Sequence, residues 1–370
     1  MPLKDTRSRP ILIVGIGNVP PPITGKTLVT KLVFGHLKVS LPSGVLVFSP
    51  RLDGGRLGNI VRKCAANMRG LASAIWAALS GTPVHAYIVA DAGNGVFLTA
   101  VFACLFRLFV KKLAVHHHGA IWMSKRSHIL RALLFTSSTT QVVQCQTMGE
   151  MLRSCYPHVK YQVLSNAFMV REESFKARFV HSFGERSFRL GHLSNLTLEK
   201  GLGRAIEAFE LLKTRGLDVN LRIGGPPASD AAKVRLENAL KDHPEIEYVP
   251  YVSDEMKADF FADMDVFLFA SLYPIESQAI VTLEALAMGV PVIAYPRCCL
   301  KETLRAGGGV AVEERHNFAE TACAVIERWI RNPDAHEKAR SDAFRRFKLL
   351  RKKALSESEQ LFTWICSPAE

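Results

Sequence analysis

The sequence predicts an α/β protein made of two doubly wound parallel sheets, one in each half of the chain. Short β-branched runs alternate with longer stretches of helical periodicity, the pattern of parallel strands joined by crossover helices. The alternation restarts after residues 169–188, a stretch of mixed charge and little periodicity. At 370 residues the chain also exceeds what one hydrophobic core usually organises.

In order, the first half offers strands in ILIVG, GVLVFS, AYIVAD, KLAVHHH, TQVVQC and YQVLSN; the second offers FRLGHLS, VNLRIGG, IEYVPYV, VFLFAS and PVIAY. Residues 202–213, 231–242 and 280–288 carry helical periodicity between the latter, and 332–365 read as a long basic helix. Domains are therefore expected at 1–180 and 181–345, with a helical tail, 346–370, packing back toward the first. Ligands of such sheets sit beyond the carboxyl ends of strands, so chemistry is expected in loops that follow strands and in a cleft between the domains.

A hydrophobic fraction of 48% and a charged fraction of 22% exclude a disordered or fibrous chain. Lys+Arg 47 against Asp+Glu 34 gives a formal charge of +13, a bias toward phosphates on a nucleotide, an anionic lipid or a nucleic acid. No nucleic-acid motif accompanies that charge, so nucleic acid is not an expected partner. Eight cysteines without a CxxC pair point to a reducing cytoplasm and away from a zinc ribbon. The basic lead Lys4, Arg7 and Arg9 precedes the short apolar run ILIVGI and then prolines at 20, 21 and 22, too little for a signal-peptide core. The longest apolar run, 96–106, is too short to span a bilayer. Gly25-Lys26-Thr27 after an apolar strand imitates a P-loop. The first glycine of that motif would fall on Pro20, however, and prolines have no N–H to offer a phosphate.

Two glutamates stand out. Glu276 follows the strand VFLFAS, and Glu284 lies inside the apolar run TLEALAMG. An acid flanked by Leu283, Ala285, Leu286 and Ala287 costs free energy unless it is paired or liganded. If a helix begins near Ser277, the two carboxylates are separated by roughly 80° around it and can face one crevice. Carboxylates accept paired hydrogen bonds from vicinal hydroxyls, which suits a sugar ring and a ribose. Amides of Ser277, Gln278 and Ala279 at the helix start suit a diphosphate. Spacing alone does not separate this from a helix carrying two solvated acids.

In KLAVHHHGA, strand alternation puts His116 and His118 on one face and His117 on the other. Zinc on that pair would need a further ligand from elsewhere, and histidines at strand ends commonly just find hydrogen-bond partners.

Taken together, these segments resemble the retaining glycosyltransferases of family 4, which have the GT-B fold of two Rossmann-like domains and an E-x7-E motif in the second. The resemblance covers most of the chain. It rests on 267–294, on Pro20-Pro21-Pro22 with Gly25 after the first strand, and on His116 to Gly119. Ser194-Asn195, Glu199-Lys200-Gly201 and Gly224-Gly225 follow in the expected order.

The resemblance implies that Glu276 contacts the donor sugar, Glu284 the nucleotide ribose, and Lys200 the donor pyrophosphate. It gives His118, rather than His116, a hydrogen bond to the sugar, and lets backbone approach the donor at Gly25. It implies no metal, no cofactor and no protein nucleophile. Many members place an arginine where this chain has His192, which leaves Arg189 or Arg222 as substitutes for a second phosphate cation. PRCCLKETL also departs from the family's glycine-rich stretch.

The implied activity is retaining, metal-independent hexosyl transfer from a UDP- or GDP-linked sugar to a saccharide or lipid-linked saccharide, in polysaccharide or lipopolysaccharide synthesis. The expected place is the cytoplasm, at the inner face of the plasma membrane. Two apolar-basic segments suit an anionic membrane surface, or else core-facing helices: Phe97, Phe102, Phe106 and Phe109 before Lys111-Lys112, and Lys125 to His128 with Ile129, Leu130, Leu133, Leu134 and Phe135. The alternative is a non-catalytic nucleotide-sugar-binding or scaffold module. Oligomeric state is left open.

Overall fold

The computed structural model describes residues 10–21, 24–41, 44–53, 55–170 and 186–369. Lys4, Arg7, Arg9, Pro22 and the boundary expected at 180/181 lie outside the described residues. Two compact units form: Met1–Met169 with Ala354–Glu370, and Val170–Lys353.

The first unit runs β1 (Leu12–Ile16), α1 (Gly25–Ser40), β2 (Val45–Phe48), α2 (Arg56–Leu79), β3 (Val84–Val89), α3 (Val96–Phe106), β4 (Lys112–His116), α4 (His128–Leu133), β5 (Thr140–Val143), α5 (Gln146–Cys155) and β6 (Lys160–Val163). Its strands lie in the order β2-β1-β3-β4-β5-β6 and all pair in parallel. All six residues of β3 are buried, which is why its sequence shows no alternation. Strand order reverses between β1 and β3, so the loops after these two strands flank the switch point. The first of them ends in a capping box: Thr24 Oγ1 accepts from the Thr27 amide and Thr27 Oγ1 from the Thr24 amide, which fixes the start of α1.

The second unit runs β7 (Phe188–Leu193), α6 (Leu202–Thr214), β8 (Val219–Gly224), α7 (Asp230–Asp242), β9 (Ile246–Val249), α8 (Lys257–Ala262), β10 (Val266–Phe269), α9 (Ile280–Ala287), β11 (Val292–Ala294), α10 (Leu300–Leu304), β12 (Gly309–Ala311) and α11 (Phe318–Arg331). Its order, β9-β8-β7-β10-β11-β12, is that of a dinucleotide-binding sheet, with the reversal between β7 and β10. The core is the apolar face of α6 and α11 (Ile206, Phe209, Leu212, Ile326 and Trp329) against Leu190, Leu221 and Leu268 of the sheet.

The long helix α12 (Pro333–Cys366) starts in the second unit, and from Ala354 onward its residues belong to the first. The changeover comes later than position 346. Arg346 donates to the carbonyls of Glu302 and Thr303, and Arg351 Nε to the Val170 carbonyl at 2.9 Å, which ties this stretch to the second unit. Within the first unit, Lys112 Nζ collects the end of the helix. It donates to the carbonyls of Trp364 (2.7 Å), Ser367 (3.0 Å) and Pro368 (3.1 Å). A cation on the orphan carbonyls at a helix end satisfies both their hydrogen bonding and the helix dipole. Lys112→Met is expected to cost about 1.5–3 kcal/mol, the range for hydrogen bonds to a charged group. Limited proteolysis should then clip the tail faster than in the parent chain.

Among the described residues no helix is long and apolar enough to cross a membrane. The two apolar-basic segments are largely interior: Phe102, Phe106, Leu130, Leu134 and Phe135 are buried, and Phe97 packs edge-on against Trp122. Their helical periodicity served the core, so most of their apolar residues are not available to a membrane.

Candidate active site

In the second unit the loops after β7 and β10 meet at the switch point. Gly201 has φ 97, and a Cβ there would sit 2.7 Å from the Ala270 carbonyl carbon, so the α6 entrance lies directly on the end of β10. The Leu272 amide donates to the Glu199 carbonyl at 2.7 Å. Across this junction Lys200 Nζ donates to Glu276 Oε2 at 2.6 Å and stands 4.7 Å from the centre of the Tyr273 ring. A cation and a carboxylate, each largely shielded, are thus held where a strand-end ligand would bind. One suits phosphate oxygens and the other sugar hydroxyls.

Helix α9 begins at Ile280, three residues beyond Ser277. Ala279 is extended and caps it, its carbonyl accepting from the Thr282 amide and hydroxyl. Glu276 is therefore off the helix, and helical phase does not relate it to Glu284. The amides left without an intrahelical partner at this start are those of Ala279, Ile280 and Val281, while those of Ser277 and Gln278 precede the helix. Ser277 and Gln278 are buried, and the Ser277 carbonyl accepts from the Cys299 amide.

Glu284 is buried in α9, and its Oε1 accepts from Lys257 Nζ at 2.7 Å. Its Oε2 is buried and has no hydrogen-bond partner among the described residues. Burial pushes the carboxyl up while Lys257 pulls it down. Burial lowers the Lys257 ammonium, but the charges and hydrogen bonds of Glu284 and Asp254 outweigh this and leave it raised. The ammonium therefore stays charged against Glu284. Lys257 escaped sequence reasoning, because no spacing rule links a lysine opening α8 to an acid in α9.

Gly225, with φ 106, would place a Cβ 2.0 Å from the Ser194 carbonyl oxygen, so the loops after β7 and β8 are in backbone contact. Gly224 is buried, with Leu193 and Phe260 where its Cβ would be; its smallness serves packing.

None of the three candidates supplies a second phosphate cation. His192 is buried, its Nδ1 donating to the Leu268 carbonyl at 3.0 Å and its Nε2 accepting from Ser194 Oγ at 3.1 Å. Burial lowers its pKa to about 4, so it is neutral. Arg189 stands at the amino end of β7, away from the switch-point loops, and pairs with Asp263 at 3.1 Å. Arg222 is held by Glu247 and the Phe260 carbonyl.

In the first unit, His116 and His118 share a face, their ring centroids 4.2 Å apart. His117 points the other way and donates from Nε2 to Gln141 Oε1 at 2.7 Å. Tyr87 Oη lies 2.9 Å from His116 Nδ1, and Gln144 Nε2 donates to His118 Nδ1 at 3.1 Å. That bond keeps the His118 proton on Nε2, a donor suited to a hydroxyl. Gly25 is the exposed first residue of α1. Beside it Lys26 Nζ donates to the Ala90 carbonyl at 2.7 Å, and Asp91 takes Lys63 at 2.7 Å, so both arms of this switch point are tied together.

Burial, aided by the Lys26 charge, lowers His116 to about 3 and His117 to about 4, and drives His118 well below the usual histidine range. These rings fold neutral, whereas the unfolded chain protonates them near pH 6.5. Their contribution to stability is complete above about pH 6.5 and falls as pH drops from there toward about 3, the value of His116. The urea midpoint is expected to fall between pH 7 and 5, before most carboxylates protonate, and His117→Gln should flatten that slope.

Residues 173–346 match the family model described as "Glycosyl transferases group 1". Over 176 residues the chain is 27% identical to a GDP-mannose-dependent alpha-(1-6)-phosphatidylinositol dimannoside mannosyltransferase of Mycobacterium tuberculosis, covering 47% of this chain and 40% of that one. It therefore spans about two fifths of the length of that relative. Over 271 residues it is 23% identical to the capsular polysaccharide biosynthesis glycosyltransferase CapM of Staphylococcus aureus, covering 72% and 66%. The crystal structure of HepE from Anabaena in complex with UDP and glucose is similar with a TM-score of 0.66 at 14% identity, covering 94% of this chain and 97% of HepE. The family match lies in the second half of the chain, which is thus similar to the group 1 glycosyl transferases, and the two-sheet architecture that runs through both units is the GT-B fold.

Proposed function

We propose that the chain transfers a hexosyl group from a nucleotide-diphosphate donor to a hydroxyl of a saccharide or lipid-linked saccharide acceptor. Transfer proceeds with retention and without a metal or cofactor, at the cytoplasmic face of the membrane, in building a cell-surface glycan. The observation that carries this reading is the Lys200–Glu276 pair at the switch point of a dinucleotide-order sheet. The buried, unpartnered Oε2 of Glu284 on the next helix supports it.

Donor entry exchanges one set of partners for another. Lys200 leaves Glu276 for the diphosphate and takes up the charge that grows as the glycosidic bond breaks, with the α9 amides beside it. Glu276, released, accepts from sugar hydroxyls. Glu284 Oε2 accepts from a ribose hydroxyl. Catalysis rests on positioning and on stabilising the leaving group, so no protein nucleophile is assigned. The GDP-mannose of the mycobacterial relative and the UDP held by HepE make both nucleotides candidates. Capsule and phosphatidylinositol mannoside synthesis in the relatives supports a cell-surface glycan.

The test is a thermal-shift panel of UDP, GDP, ADP and their sugar conjugates, followed by donor consumption in the presence of membrane extract. One nucleotide class should stabilise the chain by about 2.7 kcal/mol at a hundredfold excess over its Kd. Stabilisation without any donor consumed would overturn the enzyme reading in favour of a non-catalytic binding module.

A further inference from the structure

The positive charge is not shared between the units. The first contains 19 Lys and Arg against 7 Asp and Glu; the second contains 28 against 27. From residue 55 to 149 there are ten Lys and Arg and a single acid, Asp91. A diphosphate held by the second unit explains none of this excess.

Helix α2 shows where the excess leads. It carries Arg56, Arg62, Lys63 and Arg69 and no acid, and it buries Ala66, Gly70, Leu71, Ala74 and Ala77. The outward face of such a helix is ordinarily polar. Here it is apolar, with Leu57 80%, Val61 66%, Met68 54%, Trp76 76% and Leu79 80% exposed. At 100° per residue Leu57, Val61, Met68 and Leu79 fall within about 40° of one another, with Trp76 about 60° beyond, along roughly 33 Å of helix. Arg62 and Arg69 border this stripe on one side and Arg56 on the other. Arg62 pairs with Asp53, while Arg56 and Arg69 have no ion pair among the described residues.

We propose that the outer face of α2 docks this protein on an anionic lipid bilayer. Its apolar residues enter the boundary between headgroups and acyl chains, and the bordering arginines meet lipid phosphates. Exposed apolar stretches of this extent mark an interaction surface, and the charge selects the partner. A second copy is disfavoured, because a two-fold contact would set arginine borders against arginine borders. The start of α2 follows the carboxyl end of β2, so a helix lying in the membrane plane turns the carboxyl edge of this sheet sideways along the surface. This inference is independent of the donor-site reading.

The experiment is flotation of the full chain with vesicles of phosphatidylcholine alone and of phosphatidylcholine with about 30% phosphatidylglycerol. Binding should be at least about tenfold stronger on the anionic vesicles and weaken with salt. The double variant Met68→Glu/Trp76→Glu should lose at least about tenfold, as should Arg56→Glu/Arg69→Glu. Val234→Glu, a like change at an exposed residue of the second unit, should float as the parent does. A melting temperature unchanged by these surface substitutions shows that loss of binding is not loss of fold. Equal flotation on both vesicles, or parental flotation of Met68→Glu/Trp76→Glu, overturns the proposal. So does a lipid-free dimer that this variant splits, which would make the stripe an interface between copies.

Discussion

Lys200→Ala is expected to lower sugar transfer by about 10²–10³-fold, the range seen when a preorganised charge at a reacting centre is removed. The loss should fall on kcat more than on KM, because the diphosphate is more negative at the transition state than in the bound donor. Glu276→Gln is expected to weaken transfer as well, by loosening the sugar. A structural ion pair would behave differently: exchanging the partners, Lys200→Glu with Glu276→Lys, would then restore both stability and activity. On the catalytic reading the exchange restores the melting temperature and leaves transfer at the level of Lys200→Ala. Steady-state rates with the donor identified by thermal shift, read beside melts of the same variants, decide the matter.

The second large effect concerns Glu284. Glu284→Ala is expected to destabilise the fold by about 2–4 kcal/mol, because breaking a buried pair strands Lys257 with Asp254 alone. It should also abolish the thermal shift given by nucleotide. The two losses are separable. Replacing the whole pair, Lys257→Met with Glu284→Leu, removes the stranded charge and should recover most of the stability in urea unfolding. It should not recover nucleotide binding. A nucleotide shift that survives in Glu284→Ala would sink the ribose assignment.

Much of the fold was legible because parallel strands are written in apolar runs that few other elements imitate. The runs that failed are informative. β12 is only Gly309–Ala311, flanked by glycine, and has no run to read. Periodicity located α9 at 280–288, but the condition that it begin near Ser277 fails: the helix starts at Ile280 after an extended Ala279, and the Ser277 carbonyl accepts from the Cys299 amide.

At the candidate site, sequence order anticipated that Lys200 and Glu276 follow the strands β7 and β10 that flank the switch point. Pairing did not emerge, since Lys200 and Glu276 join two loops, and Lys257 and Glu284 two helices, that are far apart in sequence. Whether His192 could stand in for the arginine was not legible in sequence, because its burial and its bond to the Leu268 carbonyl come from strands far apart in the chain. Periodicity misled most over surfaces. It reports that a helix has an apolar stripe but not which way the stripe faces, so the phenylalanines of α3 suited a membrane surface as well as a core until their burial was seen.

The route of α12 bears on how the molecule can be taken apart. The chain builds most of the first unit, leaves it for 184 residues and returns from Ala354 with the segment whose carbonyls Lys112 binds. A single cut therefore never yields two whole units: a fragment ending near residue 169 lacks its own last element. Expressing the first unit alone calls for a circular permutant or for 354–369 supplied as a peptide. Exchanging the donor half with a relative means replacing an internal cassette with two joints, the second of them inside a continuous helix.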